Sequence, residues 1–122
     1  MSNVSMKLSE FQKFNSENIL EYDVVREKVV ELYNMIWGQG GESFIERETQ
    51  NFLKIIRESK ALKACTAFSV YTCMIDLAVT GLTVEPGAQA MAYLIPRNVC
   101  IGKSPNNGQD IYEARCQLKI SG

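Results

Sequence analysis

The period of the hydrophobic pattern changes once along this chain, and that change limits the folds open to it. Between Glu21 and Thr80, apolar residues recur at the three- and four-residue spacing of amphipathic helices. After Pro86 they alternate with a period of two, which is typical of β-strands. Because the helical patterns all precede the strand patterns, the sequence predicts an α+β fold of about three helices followed by an antiparallel β-hairpin.

The first two predicted helices are amphipathic. The first starts near Glu21 and ends at the glycines around position 40, and its apolar face consists of Val25, Val29, Leu32 and Ile36. Ser43 and Glu46 have the spacing of a capping box, which predicts that the second helix begins there and runs to about Arg57. Its predicted buried stripe consists of Ile45, Phe52, Ile55 and Ile56.

The third predicted helix is apolar on most sides. We expect it to run without interruption from Ser59 or Lys60 to about Thr80, with Gly81 as its left-handed cap and Pro86 soon after. Its apolar residues include Leu62, Cys65, Phe68, Val70, Tyr71, Met74, Ile75 and Leu77. A helix with so little polar surface is normally packed by its neighbours on all sides, so we expect it at the centre of the fold.

The predicted hairpin has two unlike strands. The first, around residues 90–95, is apolar at successive positions and is expected to be buried on both faces or nearly so, with Pro96 interrupting it or lying at its edge. Asn107 and Gly108 indicate the turn. The second strand alternates, with an apolar face of Tyr112, Ala114, Cys116, Leu118 and Ile120 and a solvated face of Glu113, Arg115, Gln117 and Lys119.

The predicted domain boundary lies near residue 20. Residues 1–20 are polar and weakly patterned, so we expect a flexible or partner-dependent N-terminal arm, and residues 21–122 form the helical plus β-hairpin domain. A lone hairpin is marginal in water and leaves its edges unpaired. We therefore expect an incomplete sheet, either because the chain is truncated or because an oligomer partner completes the sheet.

The amino-acid composition limits the kinds of catalytic and metal-binding site that this chain could form. The chain has no histidine, which excludes histidine-based nucleophilic pairs and metal sites, and its four cysteines are not at zinc-ligand spacing. We therefore expect reduced, mostly buried thiols, no metal, no cofactor and no catalytic residue. No apolar run approaches the roughly 18 residues of a membrane span, and no secretory signal is present, so the expected location is the cytoplasm, without a membrane partner.

Charge is unevenly distributed. Up to Glu58 there are seven basic and ten acidic residues, whereas from Ser59 onward there are six basic and four acidic residues. The excess of positive charge in the second half permits a basic surface there without requiring one.

Three short stretches, in order, carry a resemblance to a known family. They run from Ser69 to Leu82, from Val84 through the Ala92-Tyr93-Leu94-Ile95-Pro96 strand, and from Cys116 to Gly122. This order resembles the N-terminal portion of the RecT-type single-strand annealing recombinases of phages and prophages. The resemblance extends from about Phe52 to Gly122, and the family pattern continues beyond that point with an aromatic-basic-glycine segment and further helices and strands.

The resemblance implies a function without covalent chemistry. Proteins of this family bind single-stranded DNA and promote its annealing in homologous recombination without ATP, and the chain has no phosphate-binding glycine loop of the ATPase type. They act as homo-oligomeric rings or filaments and usually accompany an exonuclease. The chain therefore looks like a truncated core of a RecT-like annealing protein.

The candidate DNA-binding residues lie in and beside the hairpin. They are cations for phosphates, one amide and one aromatic ring for stacking: Arg97, Lys103, Arg115, Gln117, Lys119 and Tyr93. The alternative is that the polar residues only make an exposed strand soluble and that Tyr93 belongs to the core. Lys60 and Lys63 either join this surface or form the solvated end of a helix.

Two other functions compete with DNA annealing. One is a protein-interaction or oligomerisation module that pairs through an open β-edge and does not bind nucleic acid. The other is an enzyme of small α+β fold, which the lack of histidine, of a glycine-rich phosphate loop and of a metal-binding pattern disfavours. Salt-sensitive DNA binding distinguishes the annealing function from the interaction module.

Overall fold

The structure, a computed structural model, describes residues 8–84 and 91–120. Five α-helices precede two strands in this part of the chain: α1 (Leu8–Phe11), α2 (Asp23–Trp37), α3 (Gly41–Arg57), α4 (Lys60–Lys63), α5 (Ala67–Thr80), β1 (Ala92–Lys103) and β2 (Asp110–Ile120), with a 3-10 turn at Ile19–Glu21. The predicted α+β order with a terminal antiparallel hairpin is therefore confirmed. Pro86, Gly122 and the first seven residues of the predicted arm lie outside the described residues.

The junction between α2 and α3 depends on glycines. The N-cap of α3 is Gly40, which is in a left-handed conformation and has no side chain of its own with which to cap the helix. A Cβ on Gly41 would lie 2.6 Å from the backbone oxygen of Val30, so only glycine permits this approach, and Asn34 Oδ1 accepts the Gly41 amide at 2.9 Å. The predicted capping box is wrong because this close contact sets the helix start at Gly41, which leaves Ser43 inside the first turn.

The third predicted helix is divided into α4 and α5. Thr66 interrupts it with an extended backbone, and its hydroxyl caps α5 by accepting the amide of Ser69 at 3.2 Å. The amide of Thr66 donates outward to the carbonyl of Ala114 in β2, at 3.0 Å. A hydrogen bond to the sheet thus replaces one that a continuous helix would make, and periodicity alone does not reveal that exchange. Gly81 caps α5 in the left-handed conformation, as predicted.

The core lies between α2, α3 and α5 and extends onto one face of the hairpin. Its fully buried larger side chains include Phe44, Phe52, Ile56, Val70, Met74 and Leu77. Residues 8–20, which fall within the predicted arm, contribute Phe11, Ile19 and Leu20 to the same core. Ile36, predicted to lie on a buried face, is 44% exposed because it is near the end of α2.

Only one face of the hairpin is buried. It is buried only at the end away from the loop, which we call the root of the hairpin. Ala92, Leu94 and Cys116 are buried, whereas Tyr93 on the opposite face is 43% exposed. The prediction that the first strand is buried on both faces is therefore wrong, because the helices cover just one side of the sheet. A bulge at Ile101 shifts the register before the six-residue loop 104–109, in which Gly108 has a φ of 69°.

Within residues 8–84 and 91–120, none of the helices combines the length and apolar character required to cross a membrane.

Candidate nucleic-acid interface

One face of the hairpin points away from the helices and carries most of the candidate residues. We call it the polar face, and its cross-strand pairs are Tyr93–Lys119, Ile95–Gln117, Arg97–Arg115 and Val99–Glu113. Side chains that are directly opposite in an antiparallel pair share a face, and successive residues alternate between faces. The opposite face, with Ala92, Leu94, Cys116 and Leu118, packs on the helical core.

The two outer edges of the hairpin differ. Along β2, the carbonyl of Ala114 accepts from Thr66 and the amide of Cys116 donates to Ser69 Oγ at 2.8 Å. Since these groups point away from β1, Ala114 and Cys116 form non-hydrogen-bonded pairs with Asn98 and Pro96. The backbone groups of Asn98 and Pro96 therefore also point outward, along the free edge of β1. Pro96 costs the ladder no hydrogen bond at this position, so it lies at an edge within β1 and does not end the strand.

Arg97 and Arg115 are directly opposite each other on the polar face. Like charges in this relation destabilise a sheet, so the pair has a cost that an anion held between the two guanidinium groups would offset. Each group has a partner on the same face: Arg97 Nη1 donates to Gln117 Oε1 at 3.2 Å, and Arg115 Nε donates to Glu113 Oε2 at 2.9 Å. Both contacts are exposed to water, which weakens them and leaves the cations accessible.

Lys119 extends the positive charge toward the root of the hairpin. It is opposite Tyr93, four residues or about 13 Å along β2 from Arg115. The polar face thus holds three cations and the single carboxylate of Glu113.

The structure brings together five of the six candidate residues. Tyr93, Arg97, Arg115, Gln117 and Lys119 all belong to the polar face and are exposed. Lys103 does not join them, because it pairs with Asp110 at the loop end of the strands, roughly 20 Å along β1 from Arg97. Lys60 and Lys63 are exposed on α4.

Sequence reasoning missed two features beside the polar face. Glu113 is the counterion of Arg115, and its position two residues away on an alternating strand could have indicated this pair. Phe68, predicted to be core, is 41% exposed and lines a cleft of about 660 Å³ that Arg115 also borders. No sequence signal indicated this cleft, because α1, the start of α5 and β2 form it together.

A buried carboxylate lies elsewhere, between α3 and the segment that follows α5. Glu48 is fully buried and accepts the Val84 amide at 2.9 Å, the Thr83 hydroxyl at 2.9 Å and Arg47 Nε at 2.7 Å. These donors satisfy the charge within the protein, so Glu48 anchors the chain before β1.

Three of the four thiols are buried around the contact of α5 with β2. Cys65, Cys73 and Cys116 are buried, Cys100 is exposed on β1, and all four are free. Burial, with a smaller effect of the neighbouring Cys116 thiol, raises the pKa of Cys65 to about 11. A hydrogen bond with Cys116, and then burial, raises the pKa of Cys73 strongly. These shifts keep both thiols protonated and unreactive at neutral pH.

In the described part of the chain, no group of three or more acidic or cysteine side chains is arranged to hold a metal ion.

The comparisons with known proteins identify no relative: no family model matches the chain, no curated protein matches its sequence, and no solved structure matches its fold.

Proposed function

We propose that this chain binds single-stranded DNA through the polar face and acts in ATP-independent strand annealing of the phage recombination type. The observation that carries the proposal is the direct opposition of Arg97 and Arg115 on an exposed sheet face. Two opposed cations destabilise the sheet when nothing lies between them, and a phosphate group bound between them offsets that destabilisation. The resemblance to RecT-type proteins supplies the annealing step of the proposal.

The proposed mechanism is physical. Arg97, Arg115 and Lys119 neutralise the phosphates of one strand, which lowers the repulsion that opposes the approach of a complementary strand. Tyr93, opposite Lys119, offers a ring on which a base can stack, and Gln117 orients Arg97. No bond is made or broken, so the reaction requires neither a catalytic residue nor a cofactor.

The proposal also includes the oligomeric state of the protein, its location and its partner. Several copies of the chain assemble into a ring or filament, so that each protomer needs only a short row of phosphate contacts. The protein works in the cytoplasm of a prophage-carrying cell beside a partner exonuclease that exposes single strands.

Fluorescence anisotropy with a labelled strand of about 40 nucleotides tests DNA binding. We expect the double variant Arg115→Ala/Lys119→Ala to weaken binding by roughly tenfold at ~50 mM salt, and to reduce the steepness of the salt dependence by about 1.4 for two lost contacts. Lys54→Ala is the control, because Lys54 is an exposed cation on α3, away from the hairpin. Equal affinity and salt dependence in the double variant and the parent would overturn the proposal.

A second candidate function, oligomerisation through an open β-edge, is favoured by the free edge of β1. No described residue outside the hairpin hydrogen-bonds this edge, and Pro96, Asn98 and Cys100 on it are exposed. Asn98→Pro removes an outward amide without breaking the ladder to β2, so it should block strand addition, whereas Asn98→Ala keeps the amide and should not. Sedimentation velocity distinguishes the outcomes: an unchanged size distribution in Asn98→Pro would exclude this edge as the contact.

A further inference from the structure

The cleft beside the polar face combines aromatic rings with a cation. It opens along the outer edge of β2 and has a volume of about 660 Å³, within the range of pockets that hold small organic groups. Phe11, Phe14 and Phe68 line it from the helical side, and Glu113 and Arg115 line it from the strand. Arg115 therefore belongs both to the row of cations on the polar face and to the rim of this cleft.

Phe68 is the ring that a ligand in the cleft would meet. It lies in the first turn of α5 and is 41% exposed, although the other apolar residues of that turn, Ala67 and Val70, are buried. Phe11 packs against it in an edge-to-face contact, with 5.0 Å between ring centroids. A large aromatic ring that is held by a neighbouring ring and is partly exposed can offer a flat surface for stacking.

The hydroxyl groups of the cleft are already satisfied within the protein. Thr66 Oγ accepts the amide of Ser69, Ser69 Oγ donates to the Thr66 carbonyl, and Thr72 Oγ donates to the Ser69 carbonyl. Besides these hydroxyl groups, the polar side chains that line the cleft are the exposed amide of Gln12 and the Arg115–Glu113 pair, so few groups could read the hydrogen-bonding edges of a ligand. The cleft suits a flat ring that binds by stacking, without recognition of which base it is, and that is attached to an anion that Arg115 can hold.

We propose that this cleft receives one unstacked base of the bound single strand, which stacks on Phe68 while the adjoining phosphate contacts Arg115. The inference rests on the proposed function and deepens it, because it makes single-stranded nucleic acid the preferred ligand over duplex. A base inside a duplex cannot leave its stack without the loss of pairing, whereas an unpaired base can. Stacking of this kind tolerates any base, as annealing of arbitrary sequences requires.

A strand without bases tests the inference directly. Anisotropy is measured with an oligothymidylate of about 20 nucleotides and with a backbone of the same length in which every site is abasic, so both probes carry the same phosphates. We expect the parent protein to bind the oligothymidylate at least about fivefold more tightly, since stacking on one aromatic ring has an effect of this size. Because Tyr93 can still stack a base, Phe68→Leu should reduce the preference severalfold without changing the salt dependence, and Phe68→Trp should keep it, whereas an unchanged preference in Phe68→Leu would overturn the base site.

Tyr112→Leu is the matched control, because Tyr112 is an exposed ring on the opposite face of the hairpin, outside the cleft, and should leave the preference intact. Thermal unfolding of each variant establishes that it is folded. If the parent binds both probes equally and with steep salt dependence, the base site is wrong and phosphate binding stands. If the parent binds neither probe, the proposed function fails and the base site fails with it.

Discussion

The helical body, which consists of α1 to α5, and the distal half of the hairpin, which is the part toward its loop, contain similar apolar residues. The two regions differ in how far those residues are buried. In the body, Phe52, Ile56 and Met74 are completely buried between helices. Toward the loop of the hairpin, Ile101 is 52% exposed and Tyr112 is 60% exposed, because neither belongs to the part of the sheet that packs on the helical core. The apolar content of a segment therefore sets how much surface it could bury, whereas a second packed layer of structure decides how much it does bury. The body supplies stability, and the hairpin supplies accessible surface.

The greatest change in stability is expected from a substitution in the helical body, compared with one in the hairpin. Phe52→Ala removes a fully buried ring from the body, so it should lower the free energy of unfolding by about 3–5 kcal/mol. Tyr112→Ala in the hairpin should change it by less than about 0.5 kcal/mol, since the side chain is mostly in water. Urea unfolding followed by circular dichroism measures both. A loss above about 2 kcal/mol for Tyr112→Ala would mean that the distal hairpin is packed after all.

An intermediate effect is expected where the two regions join. Ser69 Oγ accepts the buried amide of Cys116, and no other described group replaces it in Ser69→Ala. The variant should therefore lose about 1–3 kcal/mol, the cost of an unsatisfied buried donor. Hydrogen exchange should show faster exchange at Cys116, and Ser43→Ala on the exposed side of α3 is the control. Unchanged exchange at Cys116 would show that the helical body does not hold the hairpin through this bond.

The smallest expected effect concerns alkaline pH. The pKa of Cys65 is raised to about 11 in the folded chain, so its thiol stays protonated after the same thiol in the unfolded chain has ionised. Its contribution is complete below the ordinary pKa of about 8.5 and is lost as pH rises toward 11. Between pH 8 and pH 9.5 we expect the Cys65 thiol to lower the free energy of unfolding by about 1 kcal/mol, so Cys65→Ala should reduce the loss of stability. The loss that remains in this variant comes from Cys73, whose pKa is also raised.

The exposed Cys100 of the hairpin provides the control for this pH dependence. Cys100→Ser should leave the loss of stability between pH 8 and pH 9.5 unchanged, because Cys100 is exposed and lies away from the buried thiols. Denaturant midpoints at the two pH values measure the effect. A pH dependence that disappears in Cys100→Ser and persists in Cys65→Ala would reverse the assignment of buried and exposed thiols.

Part of the candidate site could be predicted from sequence, and part could not. The alternation of Glu113, Arg115, Gln117 and Lys119 places them on one side of a strand whatever that strand packs against. The position of Arg97 opposite Arg115 depends on the length of the loop 104–109 and on the bulge at Ile101, which together set the register. Nearness in sequence groups Lys103 with these residues, but Lys103 lies at the loop end of β1, roughly 20 Å from Arg97, where it pairs with Asp110.

Spacing between near neighbours in the chain is enough to predict the order of helices before strands, the C-terminal cap of α5 at Gly81 and the alternation of β2. Contacts between distant segments set the break at Thr66, the start of α3 at Gly41, the burial of Phe11 and the exposure of Phe68. Each of the latter depends on groups far apart in the chain: a strand carbonyl that accepts the Thr66 amide, or a neighbouring helix that leaves room for hydrogen alone at Gly41. Local periodicity records which way a side chain points, and the packing of distant segments decides what it meets there.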